Sequence, residues 1–397
     1  MTNFQWTKSQ FYLPQGMIYL DGNSLGPLPH AAKDRVGTSM TDQWGEMLIT
    51  GWNNAGWMEM PRRVGDRIAR ILGAATGSIV MGDTLSIKVY QALSSALELR
   101  PDRRVILSDT GNFPTDLYMA EGLIKSLERD YELRVVAPED VYDAITDDVA
   151  VTLITEIDYR TGRRHDMQAI TKRAHACGAI TVWDLAHSAG AVDVDLTGAN
   201  VDFAIGCTYK YLNGGPGAPA FIYVRPDLLE DIRPALSGWL GHASPFDFEL
   251  NYRAGDGIDR LRVGTPPILG LVALDAALDV WDQVDIADVR ARSIELSEAF
   301  VAEVSAGCPA LKLASPSDPK ARGSQVSYHF EHGYAAMQAM IDRKIIGDFR
   351  APDLMRFGFT PLYIDCDQVR DAARTLCDVI NLNLWDDPKY KTRKKVT

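Results

Sequence analysis

Between about residue 60 and residue 225, short apolar runs alternate with stretches of helical periodicity, and no other property of the chain limits its fold as strongly. The runs fall at 105–107, 133–136, 149–154, 179–183, 203–207 and 220–224, each bounded by polar residues, Gly or Pro. Most are separated by helix-like stretches such as 116–128 and 167–177. Upstream, 61–72 carries Val64, Ile68, Ile71 and Leu72 at helical spacing. Thr84 stands as N-cap of a helix bearing Ile87, Val89, Leu93 and Leu97. Strands alternating with helices predict an α/β fold with a largely parallel sheet covered on both faces. After Gly264 the pattern changes. Pro266 and Pro267 open a helical stretch to 284, and a second follows over about 286–304. Strands at 325–330 and 354–357 and helices at 335–341 and 368–382 then read as a smaller α+β unit. The expected organisation is an N-terminal segment, 1–55, packing near the small domain. A large domain, 56–280, and a C-terminal domain, 281–397, follow it, joined by a long helix.

With 397 residues, 46% of them hydrophobic, the chain can bury two ordinary cores. Its 41 basic and 53 acidic residues sum to a net charge of -12, which repels phosphate backbones. Neither nucleic acid nor an anionic membrane is therefore expected as a partner. The one basic cluster, Lys389, Lys391, Arg393, Lys394 and Lys395, is expected to be a solvated, poorly ordered end. Cys177, Cys207, Cys308, Cys366 and Cys377 are odd in number and none sit at Cys-x-x-Cys spacing, which implies no disulfide framework. His329 and His332 lie three apart in and beside a strand-like run, a poor spacing for one metal, and no metal is expected. The N-terminus lacks the basic and apolar regions of a leader, and no stretch reaches the roughly 18–20 apolar residues of a membrane span. A reduced, cytoplasmic protein is the expectation. Trp6, Trp44, Trp57 and Trp281 are read as packing residues.

Chemistry concentrates in Trp183-Asp184-Leu185-Ala186-His187 and, 26 residues after Asp184, Thr208-Tyr209-Lys210-Tyr211. Asp184 ends one apolar run and Lys210 follows another. In an open parallel sheet the strand ends at one edge form the ligand crevice, so both side chains can face one pocket. Pyridoxal phosphate chemistry requires such a pair. The lysine forms a Schiff base with the aldehyde, and the carboxylate keeps the pyridine nitrogen protonated so that the ring acts as an electron sink. By itself the pair also fits a helix-capping Asp and a surface Lys. The following Asn213-Gly214-Gly215-Pro216-Gly217 imitates a dinucleotide fingerprint but leads into a strand rather than a helix, which rejects that reading. No Gly-Lys dipeptide occurs, so there is no phosphate-binding loop of the Gly-Lys-Ser/Thr kind. A glycine-rich turn beside the lysine is read as close backbone packing around a cofactor.

Six segments occur in an order that resembles kynureninases, which are fold type I pyridoxal-phosphate enzymes. They are Tyr19-Leu20-Asp21-Gly22-Asn23-Ser24-Leu25-Gly26, Phe113-Pro114-Thr115-Asp116, Trp183 to His187, Tyr209-Lys210-Tyr211-Leu212-Asn213, Gly238-Trp239-Leu240-Gly241-His242 and Thr265-Pro266-Pro267-Ile268. The resemblance spans roughly residues 18 to 385. It implies a large domain with a mainly parallel seven-stranded-type sheet and cleavage of L-kynurenine to anthranilate and L-alanine in tryptophan catabolism.

Carried onto this sequence, the resemblance makes Lys210 the Schiff-base lysine and the carrier of the α-proton. Asp184 becomes the partner of the pyridinium nitrogen, with Asp116 at the same ring edge. Phe113, followed by Pro114 and Thr115, would stack on the ring, with His187 beside the cofactor and Thr155 lining its site. Leu85 and Ser86 would hold the phosphate at a helix start. Tyr209 would contact the phosphate and transfer protons. Trp239 and Thr265 would reach the phosphate from a second subunit, which implies a homodimer with shared sites. Arg356 matches the clamp for the substrate's α-carboxylate, a role suited to a planar, permanently charged guanidinium. Ser24 and Trp52 would line the aromatic end of the substrate, and the bulk of Trp52 favours kynurenine over 3-hydroxykynurenine.

Two alternatives remain at this stage. One is a cysteine desulfurase-like lyase with Cys308 or Cys366 as sulfur carrier; Cys207 lies in an apolar run and reads as core. The other is an idle binding protein on the same fold. The basic turn Arg160-Thr161-Gly162-Arg163-Arg164 has no assigned contact.

Overall fold

The structure, a computed structural model, describes residues 1–393; Lys394 and Lys395 of the basic tail lie outside them. After helix α1 (His30–Thr38) and helix α2 (Met60–Ile71), the chain enters a seven-stranded sheet. Its strands are β1 (Ile79–Met81), β2 (Val105–Asp109), β3 (Glu132–Val136), β4 (Val149–Thr155), β5 (Ile180–Asp184), β6 (Phe203–Gly206) and β7 (Phe221–Val224), in the spatial order β1-β7-β6-β5-β4-β2-β3. Five of them, β6 through β3, pair in parallel, while β7 runs antiparallel to both β6 and β1. The sheet is therefore mixed but mainly parallel. Strand β1 escapes a sequence reading because it is three residues long and sits between Gly77 and Gly82.

Burial on both faces explains the near-continuous apolar runs of the central strands. One face packs on α3 (Leu85–Glu98) and α4 (Pro114–Leu127), where Val89, Leu93, Leu97 and Leu123 meet Ile106, Val151, Val182 and Ile205. The other packs on α2, α5 (Met167–Ala176) and α6 (Ile268–Trp281), and its core continues into the C-terminal unit. Asp166 caps α5 by accepting from the Ala169 amide at 2.9 Å.

The two helical stretches expected here are two separate helices. Helix α6 ends at Trp281, and α7 (Ile286–Gly307) starts afresh with Asp285 accepting from the Ala287 amide. A four-stranded antiparallel sheet follows, β8 (Lys312–Leu313), β9 (Gln325–His329), β10 (Asp348–Arg350) and β11 (Leu354–Gly358), ordered β8-β9-β11-β10. Helices α7, α8 (Gly333–Asp342) and α9 (Cys366–Asn381) pack with it, and an Asp365–Gln368 capping box starts α9. The N-terminal segment reaches this unit through Ile18–Tyr19, which pairs in parallel with Ile345–Ile346. Lys389, Lys391 and Arg393 are exposed, as expected of a solvated end, but the end is not poorly ordered as far as residue 393. Pro388–Lys391 forms a helix, Tyr390 is buried, and Lys389 Nζ donates to Asp342 at 2.8 Å. Trp57 and Trp281 pack inside, whereas Trp6 and Trp44 are exposed, so the packing reading fails for those two.

Candidate active site

The parallel strands deliver their last residues to one edge: Asp109 from β2, Thr155 from β4, Asp184 from β5 and Gly206 from β6. Beyond Gly206 the chain turns through Tyr209 into Lys210, whose Nζ lies 3.0 Å from His187 Nε2. Burial, then the charges of Lys210, Arg356 and Arg350, push the His187 imidazole well below its ordinary value. It is therefore neutral, and Nε2 accepts from the lysine. Its Nδ1 is buried without a partner. Asp184 Oδ1 accepts from the Ala186 amide at 2.7 Å. Asp116, in the first turn of α4, faces Asp184; burial and then the Asp184 charge raise its carboxyl well above the carboxylate range. Burial raises Asp184 as well, against the pull of Lys210. The shared proton belongs on Asp116, which donates to Asp184. Asp116 Oδ2 has no partner. Thr155 is buried beside them, its hydroxyl 3.3 Å from the Ile157 carbonyl.

Helix α3 supplies a second feature. Gly82 and Asp83 leave β1 at φ +154° and +56°, and the chain enters the helix through Thr84 in an extended conformation. Thr84 occupies the N-cap as expected, but its hydroxyl makes no capping bond, and no acid lies in the first turn. The amides of Leu85 and Ser86 therefore stay open toward an anion. The glycine-rich turn combines close packing with conformation: a Cβ on Gly214 would meet the Ala218 Cβ at 2.9 Å and the Thr208 carbonyl oxygen at 3.0 Å. Gly215 and Gly217 adopt φ +90° and +72° with nothing within 4 Å of an added Cβ, so conformation and not proximity requires glycine there. Gly26 makes a further close approach, where a Cβ would lie 2.4 Å from the Lys210 carbonyl oxygen; the Gly26 amide donates to the Tyr209 carbonyl at 2.8 Å.

Arg356, on β11, is buried and converges on the same region. Its Nη2 donates to Asp348 and to Ser24 Oγ, the latter at 3.2 Å, and Nη1 donates to the Tyr159 carbonyl. Its Nε has no partner. The Tyr159 ring meets Phe113 edge-on at 5.1 Å, so one residue touches both the expected stacking ring and the expected clamp. The basic turn after Tyr159 ties the two sheets together. Ser327 Oγ donates to the Arg160 carbonyl at 2.6 Å, and Gln325 Nε2 donates to the Tyr159 carbonyl at 3.0 Å. Arg164 pairs with Glu156 at 2.8 Å, and Arg163 meets His165, which bonds Asp109 at 2.8 Å.

The remaining expected residues stand apart within one chain. Trp52 packs edge-on against Trp57 at 5.7 Å. Trp239 and Thr265 are exposed, Trp239 meeting Phe246 edge-on at 5.8 Å. Tyr209 lies with its ring centroid 5.8 Å from Lys210 Nζ. The neighbouring Cys207, then burial, raise its phenol above the ordinary value, which keeps it protonated. Cys308 is buried and Cys366 lies 3.7 Å from Glu295; burial raises both thiols, away from the thiolate a sulfur carrier needs. His329 bonds Asp353 at 3.0 Å and His332 stacks on Trp385, and no metal-binding group occurs among the described residues.

Sequence reasoning missed Asp348, Tyr159, Asp21 and Arg350. Only the register shows the first: Asp348 lies opposite Arg356 across β10 and β11. What the group suits is a phosphorylated aromatic aldehyde with a basic ring nitrogen. An amine faces the crevice, a buried carboxyl pair keeps one oxygen, Asp116 Oδ2, without a partner, and a helix start without a side-chain cap is open to an anion.

Residues 289–376 match the kynureninase C-terminal domain family. The chain is 47% identical to a kynureninase from Pseudomonas fluorescens and 48% identical to one from Burkholderia pseudomallei (strain 1106a), in each case over 98% of this chain and 95% of the relative. By structure it is similar to an apo cysteine desulfurase from Thermococcus onnurineus NA1 (TM-score 0.80, 17% identity, 95% and 98% of the two chains). A C-DES mutant with glycine covalently linked to its pyridoxal-phosphate cofactor superposes with a TM-score of 0.81 at 16% identity, over 94% and 99%. At such identities these two share the fold alone.

Proposed function

The chain belongs to the kynureninase family, and from that membership we propose that the Lys210 group carries its hydrolysis of L-kynurenine to anthranilate and L-alanine. The observation behind this reading is the Lys210 amine 3.0 Å from a neutral His187, at the sheet edge where the buried Asp184 ends the neighbouring strand. Pyridoxal phosphate, the cofactor, supplies when bound an aldehyde for the lysine and a ring that withdraws electrons from the substrate's α-carbon.

The chain's own groups do the rest. Asp184 would hold the ring nitrogen through its negative charge, with Asp116 holding the neighbouring proton. Leu85 and Ser86 would hold the phosphate through their open amides, and Phe113 to Thr115, Thr155 and His187 would hold the ring. Arg356 would orient the substrate through its α-carboxylate; Ser24, expected at the substrate's aromatic end, accepts from Arg356 Nη2 at 3.2 Å and so sits beside that clamp. Lys210 Nζ would serve as the base that moves the α-proton. Tyr209, held protonated, is the general acid/base for water addition at the γ-carbonyl and for the carbon–carbon cleavage that follows. The sulfur-carrier reading loses its footing with two protonated thiols and with fold-level identities under 20%.

Loaded with cofactor and mixed with L-kynurenine, the protein should yield anthranilate fluorescence with equimolar alanine. Absence of anthranilate while the cofactor stays bound would remove the substrate assignment. Run beside it, 3-hydroxykynurenine should turn over more slowly; equal rates would remove Trp52 as the residue that limits the ring end.

The site is also read as shared between two copies. Trp239, Phe246 and Phe248 form an exposed aromatic run with Leu250 beyond it, and an exposed apolar patch of this kind supports that reading. Trp239 and Thr265 would thereby reach the partner's phosphate site. Light scattering should return the mass of two chains, and a single-chain mass would end this reading. A cytoplasmic setting suits five unpaired thiols, and no helix among the described residues is long and apolar enough to cross a membrane.

A further inference from the structure

Arg356 already faces one buried carboxylate. Asp348 Oδ2 accepts from Arg356 Nη2, from Ser24 Oγ at 2.8 Å and from Arg350 Nη2 at 2.9 Å. The β10–β11 register places Asp348 opposite Arg356, so the sheet itself fixes this pairing. A second carboxyl arrives on the N-terminal segment: Asp21, three residues before Ser24, whose Oδ1 is buried without a hydrogen-bond partner. Two arginines and two ionised carboxylates form a neutral group. Adding the substrate's carboxylate would leave a net negative charge in a buried place, which is costly. One proton restores the balance. Asp348, held by three donors, is the wrong seat for it, and Asp21, whose buried Oδ1 receives no donor, is the right one.

We propose that Asp21 is the proton-carrying member of the Arg356 clamp, which takes up the substrate's α-carboxylate when Asp21 is neutral and disfavours it when Asp21 is ionised. The proposal rests on the assignment of Arg356 to that carboxylate. Burial, and then the Asp348 charge, push the Asp21 carboxyl up to about 7, against the weaker pulls of Ser24, Arg356 and Arg350. Burial acts on Asp348 in the same sense, but the two arginines outweigh it and hold that carboxyl below its ordinary value. The groups facing Asp21 come from several elements: Tyr19 beside it, Tyr211 after Lys210, Asp348 and Arg350 on β10, Arg356 on β11 and Tyr363 beyond it. Burial raises all three phenols above their ordinary value, so they stay neutral. Asp21 is then the group of this set that changes charge near neutrality. Ionisation as pH rises weakens carboxylate binding, and binding in turn draws a proton onto Asp21.

The test uses the cofactor-loaded protein and aminobenzoylpropionate, the substrate without its α-amine, which presents ring, ketone and carboxylate but cannot react. Calorimetry in buffers of different ionisation enthalpy reads proton uptake directly. The native protein should bind the analogue about tenfold more weakly at about pH 8 than at about pH 6. It should also take up close to one proton per analogue on the alkaline side. Asp21→Asn should show a flat affinity and no uptake. Equal uptake in the variant, or none in the native protein, overturns the proposal while leaving Arg356 in place. Binding to neither protein overturns it together with the Arg356 assignment.

Discussion

Lys210→Ala should end turnover of L-kynurenine and remove the covalent attachment of the cofactor. Two functions leave with one amine: the nucleophile that holds the aldehyde and the base that moves the α-proton. A positioned general base alone contributes about 10²- to 10⁴-fold, so a loss of ~10⁴-fold or more is expected. Lys88 is no substitute. It is fully buried, its Nζ bonds Gln91 at 2.9 Å and Asp83 at 3.2 Å, and burial pushes its amine below the ordinary value. Borohydride reduction followed by peptide mass mapping separates chemistry from folding. In the native protein the label should sit on Lys210, and in the variant on no lysine, although non-covalent binding persists through the α3 amides. A variant that still turned over, or still trapped the cofactor on a lysine, would remove Lys210 from the centre of the site.

How far the sequence carries the reader depends on the distance over which each part is encoded. The parallel sheet was legible because buried strands write themselves as local apolar runs, and all six expected runs match strands to within two residues at either end. Lys210 and Asp184 were legible for the same reason, each standing at the end of such a run. Strand β1 and strand β10 were not, because three residues give no period to read. Asp348 was lost with β10, although its register opposite Arg356 is what makes it important. Tyr159 was invisible for another reason. Its carbonyl receives Arg356, and a backbone oxygen leaves no mark in a sequence. Asp21 sits inside a recognised segment, yet its environment is built by residues more than 300 positions away. The basic turn 160–164 gave a charge signal with no target until the fold brought Asp109, Glu156 and Ser327 against it.

Arg356→Ala should raise KM for L-kynurenine by ~30- to 1000-fold, the equivalent of about 2–4 kcal/mol for a buried charge-assisted pair. Since the substrate's carboxylate takes no part in bond cleavage, the interaction is shared by ground and transition states, and kcat should change far less than KM. Truncation also has a structural consequence. It takes one cation from the buried Asp348, which keeps Arg350 and Ser24, and deprives the Tyr159 carbonyl of a donor, so a stability loss of about 3 kcal/mol is expected in urea unfolding. Arg356→Lys divides the two effects. A lysine restores the charge against Asp348 and much of the stability, but a single ammonium cannot serve Asp348, Tyr159 and a substrate carboxylate with the geometry of a fork. The Lys variant should therefore fold nearly as stably as the native chain while its KM stays raised, and an unchanged KM in the Ala variant would take Arg356 out of the site. A KM that recovered fully with Lys would reduce the clamp to a point charge, and the partnerless Nε and the fixed Asp348 register would lose their functional meaning.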